Sequence, residues 1–426
     1  MEASRTYFRR VRSLTIGLLV AVIFVAGFFI GVQYSVSRAQ GGLTLPDDVQ
    51  AAFEPFYQSY NLIQDQYIED VPVETLVNGA ISGMVESLDD QYSSYADPET
   101  FAITSNDLSG EIEGIGVVIS LIEDTEEIEV VNVLPDTPAE EAGLQEGDIF
   151  VTVNGEDVAG LNTLELAVRV RGPVGTTVDI TMRRGEDLID FTIPRARIEI
   201  VEVTSELLDG NIGYVRLANF SANARDQVSV AIEELQDQNI DGFILDLRGN
   251  PGGFLTSATE LAGLFIENGV ILEEEFGTGE TRIFKVEDGV VNQIYDDGRE
   301  EVYSENAAYA GLDIPIVVLV DERSASASEL VAGAWQDQGV ATIMGVTSFG
   351  KGTVQVQNTL VNGGGLRVTI ARWLTPNGAS ITGVGITPDI IVEMPELAEG
   401  ETLPEGVDPQ RDAAVEYILE QISAGQ

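Results

Sequence analysis

Hydrophobic and polar positions alternate in three different rhythms along the chain. From about residue 41 to 107 the rhythm is helical. Phe53, Phe56, Tyr57, Tyr60, Ile63 and Tyr67 recur three and four residues apart, as do Leu76, Ala80, Ile81, Met84 and Leu88, which predicts amphipathic helices. From about 197 to 395, short apolar runs alternate with helical patterns. Ile212–Leu217, Phe243–Leu247, Ile314–Val320 and Ala341–Val346 read as strands. Helical stretches carry Val228, Ala231, Ile232 and Leu235, then run from Thr256 to Ile266 and from Ser326 through Trp335. Val354–Leu360 and Leu366–Leu374 form a hairpin across the glycine-rich turn Asn362–Gly365. Strands alternating with helices predict an α/β core in a multidomain chain. The stretch from about 271 to 310 is acidic and reads as an irregular insertion with a solvated Lys285.

The middle stretch, about 108–196, is punctuated by glycine. Gly114-Ile115-Gly116-Val117 turns into an apolar strand. Asp136-Thr137-Pro138-Ala139, Ala142-Gly143-Leu144, Gly147-Asp148 and Val153-Asn154-Gly155 follow in order. The series resembles a PDZ domain. That resemblance implies that the Gly114–Val117 turn receives a peptide's terminal carboxylate and that the next strand takes the peptide by β-augmentation. Leu164, Leu166, Ala167 and Val170 would form the groove-lining helix, and Arg171 would begin an exit turn placed to gate the neighbouring domain. The chain thus divides into 1–40, a helical arm 41–107, the PDZ domain 108–196, a core 197–395 and an acidic tail 396–426 with a short helix. The arm suits docking or homodimer formation as well as a plain helical cap.

Composition narrows the function. The formal net charge is −49, with 71 acidic and 22 basic residues, a surface that repels nucleic acid. Arg5, Arg9, Arg10 and Arg12 precede an uncharged apolar run from Leu14 to Val32. A bilayer span needs about 20 such residues, and the flanking charges put the N-terminus inside and the body outside. A small-residue site at Ser37-Arg38-Ala39 would suit signal cleavage, but the run is long for a signal sequence, so an uncleaved membrane anchor is expected.

The chain has no histidine and no cysteine. Ser-His and Cys hydrolysis and His- or thiolate-ligated metals are excluded, and no cofactor is expected. A nucleophilic hydrolase then needs another base, for which lysine is the known substitute. Only two of the basic residues are lysines, Lys285 and Lys351. Arginine does not surrender its proton in proteins, whereas a buried lysine shifts readily. Lys351 lies between two glycines after Phe349, and Ser324-Ala325-Ser326-Ala327-Ser328-Glu329 opens a helix after a buried strand. Ser326 as nucleophile and Lys351 as base follow. Neutralising an ordinary lysine at pH 7 costs about 4.6 kcal/mol, so burial has to lower its pKa, with Phe349 expected in its pocket and Glu329 turned away in a structural role. The Ala327 amide at the helix start and the Gly253 amide, in a glycine turn ending another strand, are candidate oxyanion donors. The alternative for serine here is a helix N-cap, a role open to Ser324 or Ser328. Gln355 can orient an amine without charging it, although spacing leaves it level with an ordinary strand-face glutamine.

These motifs, with Asp246-Leu247-Arg248-Gly249-Asn250-Pro251-Gly252-Gly253 and Gly383–Pro388, resemble the carboxyl-terminal processing, or tail-specific, proteases. The resemblance covers nearly all of the chain beyond the apolar run. It implies a serine endopeptidase in which Ser326 is the nucleophile, Lys351 the general base and Gln355 the third member, with oxyanion amides at Gly253 and Ala327. It also implies extracytoplasmic protein substrates captured by their C-terminal tails. A membrane-tethered PDZ scaffold with a silent protease fold is the alternative.

Overall fold

The computed structural model describes residues 46–104, 110–122, 125, 127–395, 404 and 406–425. The expected anchor at Leu14–Val32 lies outside the described residues; among them no helix is long and apolar enough to cross a membrane. The chain divides into two compact units at Gly79/Ala80. In the first, Asp47–Gln66 forms a 20-residue helix with no buried residue.

The PDZ region of the second unit is built on an antiparallel sheet. Val117–Ile122 lies at its edge, followed in spatial order by Glu127–Val133, Ile149–Val153, Thr177–Arg184 and Asp187–Pro194. The helix Thr163–Val170 starts at an Asn162 capping box with Glu165, which satisfies two amides that the first turn leaves unpaired. Leu164, Leu166, Ala167 and Val170, expected to form the groove-lining helix, all lie on it; Leu166 and Val170 belong to the domain core and Leu164 is exposed. An amphipathic helix this short turns its strongest apolar positions inward. The region is tied to the core by a two-stranded ribbon, Glu111–Gly114 against Ala196–Glu199.

The core holds a six-stranded sheet ordered Val203–Leu208, Ile212–Leu217, Gly242–Asp246, Ile316–Val320, Thr342–Gly345 and Ile390–Ile391. The first pair is antiparallel and the rest are parallel. The two central strands are buried at every position, which is why they read as unbroken apolar runs. Helices Ala224–Gln236, Leu255–Gly263 and Ala327–Asp337 pack in one apolar cluster around Trp335, Phe243 and Phe265. The tail helix Pro409–Gly425 packs on the core sheet, burying Ala414 and Ile418 against Ile212, Ile244 and Val317. Gly242 makes room for it, since a Cβ there would stand 2.2 Å from Ile418.

The expected irregular insertion is ordered. Asn268–Phe276, Thr281–Glu287, Val290–Tyr295 and Glu300–Ser304 are consecutive antiparallel strands of a seven-stranded sheet. That sheet continues through Gly365–Leu374, which pairs with Asn268–Phe276, Thr353–Thr359 and Ser94–Ala96. Abundant acids hid the period-two alternation: Glu275 is exposed while its neighbour Glu274 is buried. Lys285 is part of this sheet, half-buried and paired with Glu287 at 3.0 Å.

Candidate active site

The strand Ile316–Val320 ends at Asp321, whose carboxylate accepts bonds from the amides of Gly249, Arg323 and Ser324. This turn brings the serine run against the loop after Gly242–Asp246. Ser324 Oγ donates to the Leu247 carbonyl and Ser328 Oγ to that of Asn250. The outer two serines are therefore structural, yet neither is the helix cap. Ser326 holds the N-cap position of Ala327–Asp337 itself, at φ 54°, ψ −110°. A non-glycine residue with positive φ is uncommon, and the strain is sustained only where the surroundings over-determine it.

One such restraint is Gly252, where a Cβ would stand 2.8 Å from Ser326 Cβ and 2.9 Å from the Ala327 nitrogen. The other is Glu329. It is fully buried, and its carboxylate accepts from the Ser326 amide at 2.8 Å, the Lys351 amide at 2.9 Å, the Gly350 amide at 2.6 Å and Ser348 Oγ at 2.6 Å. One carboxylate thus ties the backbone under Ser326 to the backbone under Lys351. The glycines flanking Lys351 answer to close packing. A Cβ at Gly350 would meet the Val384 nitrogen at 2.9 Å, and one at Gly352 would meet Thr382 Oγ1 at 2.5 Å.

Ser326, Ala327, Gly253, Lys351 and Gln355 line a single cavity of about 650 Å³. No hydrogen bond joins Ser326 Oγ to Lys351 Nζ, and among the described residues no carboxylate is paired with that amine. Burial lowers the Lys351 pKa, and the charge of Arg367 lowers it further, against the opposing pull of Glu329 and Asp90. The expected pocket residue Phe349 is 53% exposed. Tyr92, which pattern reading gave no role, holds its ring 5.0 Å from Lys351 Nζ. Trp373 donates from Nε1 to the Lys351 carbonyl at 3.3 Å.

Gln355 follows a register shift in its strand. Its amide donates to Thr353 and Thr369 and accepts from Arg367, and it is not bonded to the amine. The Ala327 amide is the first of its helix. At Gly253, the Gly252 carbonyl accepts from the Phe220 amide and the Phe220 carbonyl from that of Phe254, which leaves the Gly253 amide outside this bridge. Only glycine fits there, because a Cβ would lie 2.2 Å from the Phe220 oxygen.

In the PDZ region, Ile115 is buried and its carbonyl accepts from Ala139, while that of Gly116 accepts from Leu134. Gly116 has φ +93° and abuts Thr137 so closely that a Cβ would overlap it. The turn is thereby fixed ahead of the strand that Val117 opens, which lies at the sheet's edge among the described residues. Arg171 caps the Thr163–Val170 helix and lies beside Gly114, at the ribbon leading to the core.

The fold is a multidomain α/β chain with a PDZ domain, in which a serine of strained backbone and a half-buried lysine line one cavity. Comparison with known proteins places it further: the chain belongs to peptidase family S41, whose description matches residues 211–392, among the carboxy-terminal processing proteases. Residues 129–184 match a PDZ domain and 25–100 the N-terminal domain of the activating protease CtpB. Carboxy-terminal processing protease CtpA of Bacillus subtilis is 35% identical over 349 residues, 82% of this chain and 70% of that protein. A carboxyl-terminal-processing protease of Synechocystis is 34% identical, covering 85% and 82%. Among solved structures, a photosystem II D1 C-terminal processing protease is 26% identical over 85% of this chain and 90% of its own, with a TM-score of 0.46.

Proposed function

We propose that this peptidase cleaves proteins near their C-termini with Ser326 as nucleophile and neutral Lys351 as general base. The amine takes the Ser326 proton as Oγ attacks the scissile carbonyl, and the resulting ammonium then protonates the leaving amine. The Gly253 and Ala327 amides stabilise the oxyanion. Gln355 acts from the lysine's side of the cavity, after its amide turns from Thr353 toward the amine. One observation supports the reading: Lys351 shares the cavity of Ser326, and its half-buried amine is depressed in pKa, with no carboxylate bonded to it among the described residues. The deciding experiment compares wild type with Ser326→Ala and Lys351→Ala on proteins with unfolded tails, reading products by mass. Each substitution is expected to lower kcat by 10³-fold or more, on the order found for members of such units. Full activity in either variant refutes the mechanism, and an unchanged Ser326→Ala protein favours the silent scaffold.

The tail would be captured at Gly114–Val117, with the peptide added to the edge strand Val117–Ile122. Arg171, at the ribbon, would couple that capture to the core. A free-acid tail peptide is expected to stimulate cleavage and its amide to fail; equal stimulation by the two removes the carboxylate role. Loss of stimulation in Arg171→Ala, with basal cleavage kept, would support the coupling. The Leu14–Val32 segment would hold the protein in the membrane with its catalytic part outside the cytoplasm. Deleting residues 1–40 should release the protein from membranes, and retention would refute the anchor. A homodimer through the helical arm is the further expectation, tested by sedimentation with and without residues 41–79.

A further inference from the structure

We propose that Glu274 makes the cavity beside Ser326 a pocket for a lysine or arginine side chain on the acyl side of the scissile bond. The inference rests on Ser326 being the nucleophile. Glu274 sits in the strand Asn268–Phe276, directly opposite Arg282 on one neighbouring strand and Trp373 on the other. Residues opposite one another share a face of the sheet, and all three line the cavity with Ser326. Apolar Leu255, Phe284 and Leu330 line the cavity with them, as do Thr256 and Tyr303, whose hydroxyls bond each other at 3.0 Å. Leu255 follows Gly253 by two residues and Leu330 follows Ala327 by three, so the pocket adjoins both candidate oxyanion amides. That places it beside the acyl carbon.

Glu274 is 3% exposed, and no hydrogen bond or ion pair to its carboxylate exists among the described residues. Arg282 faces it without bonding it. The Arg282 guanidinium is engaged by Glu280 at 2.9 Å and lies over the Phe276 ring at 4.1 Å. Nor does Lys351 neutralise it, since the carboxylates acting on Lys351 are Glu329 and Asp90. A buried, unpaired carboxyl is unfavourable, and its pKa is pushed up to about 7 by burial, with Arg282 pulling the other way. An entering cation removes that penalty. Lysine and arginine suit the whole pocket: their aliphatic stems cover apolar walls and their heads form charge-assisted hydrogen bonds.

The test uses tail peptides identical except for lysine, norleucine or glutamate on the acyl side of the cleaved bond. Wild type is expected to favour lysine over norleucine by about 30-fold in kcat/KM, on the scale of one charged hydrogen bond, and to reject glutamate. Glu274→Gln should bring the lysine-to-norleucine ratio close to one, and Glu274→Leu should invert it. An unchanged ratio in Glu274→Gln, or a wild-type preference for norleucine, overturns the proposal. Binding of lysine- and norleucine-ending product peptides to Ser326→Ala, with and without Glu274→Gln, reads the pocket without turnover. If wild type cleaves no peptide, or Ser326→Ala cleaves as well as wild type, the nucleophile assignment has failed. The binding comparison then still decides whether Glu274 selects a cation.

Discussion

At the scale of single residues, the site is governed by which charges are allowed near Lys351. Burial and Arg367 depress its pKa, while Glu329 and Asp90 raise it. The Tyr92 ring at 5.0 Å also favours the ammonium. On the proposed mechanism Lys351 acts as a neutral base, so kcat/KM should rise with pH and reach half its plateau below 10.5, the ordinary lysine value. Removing the like charge with Arg367→Gln raises the lysine pKa and should move the profile to higher pH. Activity lost near neutrality would then return in alkali. A pH–rate profile of both proteins checks this, and a uniform loss at every pH would assign Arg367 to structure alone.

Glu274 carries a stability prediction whose sign follows from linkage. Its folded pKa of about 7 lies above the ordinary 4.5, so the folded state holds a proton that the unfolded state has released. Stability is therefore lost as pH rises from 4.5 through 7, and the full penalty applies above that. Glu274→Gln should stabilise the protein by about 2 kcal/mol more at pH 8.5 than at pH 5.5, following about 1.4 kcal/mol per pH unit across the titrating window. Denaturant unfolding at the two pH values measures it. An equal effect at both would mean that the carboxyl is not held protonated by the fold.

At the scale of elements, Glu329 joins two loops that the chain separates by some twenty residues. Four donors converge on its carboxylate. Glu329→Gln replaces one acceptor oxygen by an NH2 group facing amide donors. A loss of about 3 kcal/mol or more is expected, with activity falling further because the backbones of Ser326 and Lys351 lose their shared tether. Thermal unfolding together with activity at low temperature separates the two effects. The loops themselves were legible because glycine and serine there have few other uses. Gly252, Gly253, Gly350 and Gly352 stand where a Cβ would strike backbone or a packed neighbour, and that requirement is local enough to leave a motif. The wall opposite was not legible. Strands between Asn268 and Ser304 mix acids into buried positions, and the register that turns Glu274 inward depends on pairing with Gly365–Leu374, about a hundred residues away. Tyr92 went unread for the same reason. Its place is decided by what packs against it, and spacing along the chain does not carry that.

At the scale of the whole molecule, the tail helix closes the unclothed face of the core sheet and is latched electrostatically. Arg248 bonds Asp246 at the end of a central strand and Asp408 just before the helix, both at 2.6 Å. Arg411 adds a bond to Glu206 at 3.1 Å. This partly buried pairing answers Asp246, Asp408 and Glu206 locally. With a net charge of −49, the remaining carboxylates repel one another, and that self-repulsion opposes the compact state. Salt shortens the reach of exposed charges, to about 10 Å at 0.1 M and about 3 Å at 1 M, but touches the buried latch much less. Thermal stability should therefore rise with sodium chloride over this range. Arg248→Met should lower it by a similar amount at every salt concentration, because the latch is shielded from solvent. Melting curves of both proteins across the series test the division. Parallel, rising curves support it, whereas a gap that closes with salt would show that the latch is no better shielded than the surface.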